Sequence, residues 1–280
     1  MFELSVALSP AATGFAPLLF AGQIEQGIRV AAELGYDAVE LSLRDLARQD
    51  LGPILERIRA AGLQVSAIAT GQVYLTDGLS LANPDGDRRA GAVARVRGFI
   101  EAAAPLQAFV ILGGIRGRLE GPPERLPEQR AQAVEAIAAC VRHAEAHGVT
   151  LLLEPINRYE TNFINTIDDG LLVLKEIGSP SLGLLADTFH MNIEEASILE
   201  SLRLAGRSLR YVHFVDSNRC APGAGHLDFK EIVATLRRMG YRGFLAAEII
   251  PRPDDFHAAQ MALLHVGEIL ASKGGKPPRR

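Results

Sequence analysis

Residues 151–166 read LLLEPINRYETNFINT, and the parsing of that run decides the fold. Thr150 to Leu153 is short and apolar enough for a buried strand. Glu154 stands where it meets Pro155, which stops a ladder because it brings no N–H. From Asn157 to Asn162 polar and charged groups crowd a segment with no helical period, so it reads as a loop dense in hydrogen-bonding groups. Three later strand-like runs close on a side chain that can hold a metal: GLLAD on Asp187, RYVHF around His213 and FLAAE on Glu248.

Working outward, strand patterns fall near Glu3–Leu8, Ala38–Ser42, Gln64–Ala69, Phe109–Gly113, Thr150–Leu153, Leu182–Ala186, Leu209–Phe214 and Gly243–Glu248. Between them run helical patterns over Gln23–Leu34, Leu51–Ala61, Pro84–Ala104, Pro127–His147, Ile167–Ile177, Ile193–Ala205, Asp228–Met239 and Phe256–Ala271. Glycine closes several of these helices, as in LGYD, AGLQ, HGVT, IGSP and MGYR, where a left-handed residue ends the helix. Strands that alternate with helices in this way predict an α/β chain folded as a single (β/α)8 TIM barrel over residues 1–272, with a flexible C-terminal tail over 273–280. A doubly wound open sheet is the competitor, because periodicity does not report closure.

Composition excludes several other classes. Apolar residues make up 48% and charged residues 22%, an ordinary globular balance. The net charge of −4 gives no global bias toward nucleic acid or an anionic membrane. Two cysteines, Cys140 and Cys220, are too few for a disulfide framework and agree with a reducing, cytoplasmic setting. Cys140 falls in a helical apolar pattern, and Cys220 reads as an inert thiol in a candidate site loop. The opening MFELSVALSPAATGF reads as a first strand and not as a signal peptide, and no apolar run is long enough to span a membrane.

In a barrel the C-terminal ends of the strands meet at one mouth, so place along a strand carries functional information. Glu154, Asp187, His213 and Glu248 end the fifth to eighth strands, each separated by about one βα unit of roughly 30 residues. Three carboxylates and one imidazole make a mostly hard donor set for one divalent ion: Mn²⁺ first, with Mg²⁺, Co²⁺ or Zn²⁺ acceptable. A single carboxylate at a strand end is ordinarily a helix cap, and it is the shared depth of the four that points to a site. Glu40, ending the second strand, is a candidate to support the ligands. His143 and His147 share a helix face, but the C-terminal end of an exterior helix is an ordinary place for a solvated histidine.

These residues resemble the ketose 3-epimerase group of the xylose-isomerase-like superfamily. In that group a Glu on strand five precedes NRYET, Asp-x-x-His ends strand six, a His on strand seven is followed six residues later by Arg, and a Glu ends strand eight. Here these are Glu154 with Asn157–Thr161, Asp187 with His190, His213 with Arg219, and Glu248. Longer stretches, among them ATGQVYLTDGLSLANP, EPINRYETNFINTID and DSNRCAPGAGHLDF, are similar more narrowly to the 5-keto-L-gluconate epimerases of inositol catabolism. The resemblance implies epimerisation beside a carbonyl, through an enediolate stabilised by the metal ion. It gives Glu154 and Glu248 the two acid/base roles, His190 and Arg219 contact with the carbonyl oxygen, and Glu160 a hydrogen bond to the substrate's terminal hydroxyl. It also implies a homo-oligomer, a dimer or tetramer.

Arg116 and Arg118, in IRGRLEG after the fourth strand, are expected at the mouth. There a guanidinium could grip the carboxylate of a keto sugar acid such as D-tagaturonate. With the narrower resemblance, this favours 5-keto-L-gluconate or D-tagaturonate as the substrate; the alternative is a neutral ketohexose of the tagatose or allulose type, which would need no such charge. His226 belongs either to the mouth or to the start of the next helix. Competing functions are an aldose–ketose or hydroxypyruvate isomerase, a barrel that binds sugar acids without catalysis, and a multi-zinc endonuclease. The endonuclease is disfavoured because Glu40 and Thr70, not histidines, end the second and third strands.

Overall fold

A computed structural model describes residues 2–15 and 17–271, and the tail expected over 273–280 lies outside the described residues. The strands are β1 (Glu3–Leu8), β2 (Ala38–Ser42), β3 (Gln64–Ala69), β4 (Phe109–Leu112), β5 (Leu151–Leu153), β6 (Leu182–Asp187), β7 (Leu209–His213) and β8 (Phe244–Ala247). All pair in parallel in chain order, and β8 closes on β1, with Glu3–Val6 beside Phe244–Ala247. Closure excludes the open sheet.

The helices are α1 (Ile24–Leu34), α2 (Gly52–Ala60), α3 (Gly71–Asp77), α4 (Gly86–Ala103), α5 (Leu126–His147), α6 (Ile167–Ile177), α7 (Thr188–Glu194), α8 (Ile198–Ala205), α9 (Phe229–Arg238) and α10 (Asp255–Ala271). The helix expected over Ile193–Ala205 is corrected to two. Asp187 caps α7 by accepting from the N–H groups of Phe189 and His190, and Ser197 starts α8 by accepting from Glu200 N–H. Between them Glu195 and Ser197 are extended. The short α3 is a further element without a strong apolar period, set in the loop after β3. Among the described residues, no helix is long and apolar enough to cross a membrane.

Two apolar layers follow from the strand period of two. A large layer fills the space between barrel and helices, with Leu151 and Leu153 of β5 in it. A small layer fills the barrel itself: Ala67, Ala69, Ile111, Leu152, Leu185, Tyr211 and Ala246. Small side chains leave room there for polar ones, and Ser66 Oγ lies 2.7 Å from Ser5 Oγ and 2.8 Å from the Tyr211 hydroxyl. Continuing each strand by two residues from its inward-facing member, Leu152, Leu185, Tyr211 and Ala246, arrives at Glu154, Asp187, His213 and Glu248. All four face inward above the same layer.

Candidate metal centre and pocket

The four side chains are buried, and one donor atom from each lies within 4.8 Å of the others. His213 Nδ1 is 3.5 Å from Glu154 Oε1, 3.5 Å from Asp187 Oδ2 and 3.8 Å from Glu248 Oε2. Its other nitrogen, Nε2, lies 3.1 Å from Glu40 Oε2. Asp187 and His213 are direct partners in the β6–β7 register. Gly113 makes room for the centre, since a Cβ there would collide with Glu154 Oε2.

The donor set fits a divalent cation. Asp187 Oδ2 and His213 Nδ1 are buried with no hydrogen-bond partner, although buried polar atoms are ordinarily paired. Burial pushes the Glu248 carboxyl up to about 8, against the pull of His213 and Arg219. Burial alone would strip the proton from His213, but Glu40, Glu248, Asp187 and Glu154 raise its pKa well above the ordinary range. The cluster therefore recruits positive charge to its centre. Asp187 serves two ends at once. Oδ1 accepts from the N–H groups of Phe189 at 2.7 Å and His190 at 3.4 Å, while Oδ2 faces the other donors.

Above the four donors lies a cavity of about 170 Å³ that Glu154, His213 and Glu248 line together with Glu160, His190 and Arg219. His190 Nδ1 accepts from the Asn157 side-chain amide at 2.8 Å. The amide is oriented by its own oxygen, which accepts from Tyr159 N–H. Burial lowers the His190 pKa, so the ring is held neutral with its proton on Nε2. Arg219 donates to Glu160 at 3.1 Å and Glu248 at 3.2 Å, and its guanidinium stacks over Phe189 and Phe15 at 4.9 and 5.8 Å. Four of the five residues of NRYET have side-chain contacts that explain the loop. Arg158 forks onto Glu194, Thr161 Oγ1 donates to Gly117 O, Glu160 accepts from Asn157 and Arg219, and Tyr159 is left 80% exposed.

The structure separates the two arginines after β4. Arg116 lines the cavity wall but is completely buried, and its guanidinium donates to the backbone oxygens of Phe163 and Glu154. Burial lowers its pKa to about 10. Arg118 is exposed and does not line the cavity. His226 sits in the loop before α9 on Ser217 Oγ and is outside the lining, as is Cys220, a buried free thiol. The contacts of Asn157, Phe15 and Phe189 were not visible in the sequence. Asn157 stands in the motif as a signal of polarity alone, and Phe15 carries none.

Comparison with known proteins agrees with this geometry. The family model described as Xylose isomerase-like TIM barrel matches residues 28–264. L-ribulose 3-epimerase of Mesorhizobium japonicum is 32% identical over 243 residues, covering 81% of this chain and 75% of that protein. A solved L-ribulose 3-epimerase superposes with a TM-score of 0.80 at 28% identity, covering 97% of this chain and 95% of that one. The D-allulose 3-epimerase from Methylomonas sp. in complex with D-allulose superposes with a TM-score of 0.79 at 27% identity, covering 96% and 98%. With a closed eight-stranded barrel and a family match over most of its length, this chain belongs to the xylose isomerase-like TIM barrel family.

Proposed function

We propose that this protein is a divalent-metal-dependent epimerase that inverts the carbon beside the carbonyl of a keto sugar. The observation that carries the reading is the convergence of Glu154, Asp187, His213 and Glu248 at the floor of a cavity walled by Glu160, His190 and Arg219. The named relatives, ketose 3-epimerases, support the class of reaction. The four floor residues would hold the ion, Mn²⁺ first by donor hardness. When bound, the ion supplies Lewis acidity to the carbonyl oxygen and the neighbouring hydroxyl.

The protein's own groups do the rest. Glu154 and Glu248 are the two carboxylates able to carry a proton from one face of the planar intermediate and to the other. His190, neutral and fixed at Nδ1, presents Nε2–H as a donor toward a carbonyl oxygen. Arg219 holds Glu248 and Glu160 in place through one guanidinium, and Glu160, 43% exposed at its side chain, is set to meet a sugar hydroxyl. Phe15, Tyr74 and Ile156 form an apolar wall that excludes water from the reacting carbon.

For the substrate we favour a neutral ketohexose. Arg116 is committed to two backbone oxygens, Arg219 to two carboxylates, and Arg118 lies outside the lining. Among the described residues, each guanidinium that lines the cavity already donates to protein oxygens through both terminal nitrogens, and only the Nε–H groups of Arg116 and Arg219 are left without a partner. The second reading, 5-keto-L-gluconate or D-tagaturonate in inositol catabolism, rests on the similarity of the longer stretches and on Arg116 lining the wall. The test is NMR in D2O with the Mn²⁺-loaded protein, offered D-tagatose and D-tagaturonate separately. Metal-dependent deuterium entry at C3 with the epimer appearing is the expected result. Entry at C1 would instead assign an aldose–ketose isomerase, and no entry with either sugar would overturn the reading. Faster turnover of the uronate would reverse the substrate preference.

A further inference from the structure

At the end of the barrel opposite the mouth, a second group of donors is assembled. His143 and His147 stand one turn apart near the C-terminus of α5, and Glu101 reaches them from the last turn of the neighbouring α4. One donor atom from each lies within 4.8 Å of the others. His143 Nε2 is 3.1 Å from Glu101 Oε1, and the two imidazole rings are 4.3 Å apart. His147 Nδ1 lies 2.8 Å from the backbone oxygen of His143. A carbonyl oxygen only accepts, so Nδ1 is the donor here and Nε2 is the nitrogen not engaged by that carbonyl. This is the way proteins hold a metal-binding imidazole: one ring N–H on a carbonyl, the other nitrogen free to ligate.

We propose that Glu101, His143 and His147 form a second cation site, for a borderline divalent ion of the zinc type, which clips α4 to α5 on the outer wall. Helix α5 by itself shows two solvated histidines; the third donor arrives from 42 residues away, and only the packing of α4 on α5 supplies it. A plain ion pair would account for His143 and Glu101. It would not account for His147, whose ring is drawn to within 4.3 Å of the His143 ring and puts a third donor beside that pair. Two imidazoles and one carboxylate are a softer set than three carboxylates and one imidazole, so the two sites sort ions. The mouth suits Mn²⁺, and the clip suits Zn²⁺, with the remaining coordination completed by water. The clip is independent of the chemistry proposed for the mouth.

The experiment titrates Zn²⁺ alone into the full, tag-free, Mn²⁺-loaded chain and counts bound zinc by equilibrium dialysis, with free Mn²⁺ followed by its EPR signal. Wild type is expected to take up one zinc per chain more than His143→Ala and His147→Ala, and that zinc enters without releasing manganese. Loss of an outer-shell partner alone weakens metal sites roughly 10–100-fold, so Glu101→Gln should weaken the extra zinc at least about tenfold. All three side chains are at the surface or half-buried, so the variants keep the fold, and their manganese stoichiometry should match wild type. Equal zinc uptake by wild type and both histidine variants overturns the proposal. So does zinc uptake by wild type that occurs only in exchange for manganese.

Discussion

His213 on β7 and Glu40 on β2 meet across the barrel, Nε2 to Oε2 at 3.1 Å, although 173 residues separate them in the chain. The contact decides which nitrogen of His213 faces the centre, because Glu40 takes Nε2 and leaves Nδ1 toward Glu154, Asp187 and Glu248. Glu40→Gln should therefore weaken Mn²⁺ binding roughly 10–100-fold with the fold retained, as loss of a ligand's supporting partner does elsewhere. Calorimetric titration reads this directly, and an unchanged affinity would remove the supporting role.

Removal of the ion should be visible without any substrate. A ligand that binds only the folded state adds about 2.7 kcal/mol of stability at 100 times its dissociation constant. Chelator-treated protein should therefore melt several degrees lower than the Mn²⁺-loaded form. Asp187→Asn should abolish the difference; a variant that still gains from Mn²⁺ would place the ion elsewhere.

Glu154→Gln and Glu248→Gln should each lower kcat by about 10²–10⁴-fold, the usual weight of a positioned acid or base. Deuterium entry at C3 distinguishes proton transfer from binding. A variant that exchanges normally would lose its assignment.

Arg116→Met removes the donors that hold the backbone oxygens of Glu154 and Phe163 inside the barrel wall. Hydrogen bonds from a charged donor contribute about 1.5–3 kcal/mol each, so for these two a loss of roughly 3–6 kcal/mol in urea unfolding is expected. If the arginine only positions β5, KM for a neutral ketose and for a uronate should change together. A selective rise for the uronate would restore Arg116 as a carboxylate clamp.

Asp216 anchors the loop that carries Arg219. Its two oxygens accept from the N–H groups of Ser217, Gly223, Gly225 and Leu227. Burial would raise its pKa, but these four donors outweigh burial and lower it. A carboxyl with a lowered folded pKa contributes stability above its unfolded value, about 3.9, and loses it as pH falls through the folded value. The stability gap between wild type and Asp216→Asn, roughly 1–3 kcal/mol at neutral pH, should therefore narrow as pH falls below about 4. A gap that stays constant from pH 7 to acid would show that the charge is not what the loop uses.

Much of the fold was written in local pattern. The runs that end on Glu154, Asp187, His213 and Glu248 are short and mostly apolar, and the helices between them have a period near 3.6, so strand ends and a common depth could be read without coordinates. The error over Ile193–Ala205 has a local cause. Asp187 and Ser197 both offer cap oxygens, and the apolar pattern alone does not show that the chain restarts at Ser197.

What the sequence determined by itself was the alternation of eight strands with helices and where each strand ends, because both follow from interactions between residues near one another in the chain. Tertiary structure alone decided that the barrel closes, that Glu40 takes His213 Nε2, that Arg116 turns inward while Arg118 turns out, and that Glu101 joins His143 and His147. Closure is a pairing of backbones at the two ends of the chain, and for the side chains one physical reason covers the rest. A long side chain has several staggered rotamers of similar energy, and the partner that selects among them is brought into reach only when distant segments pack.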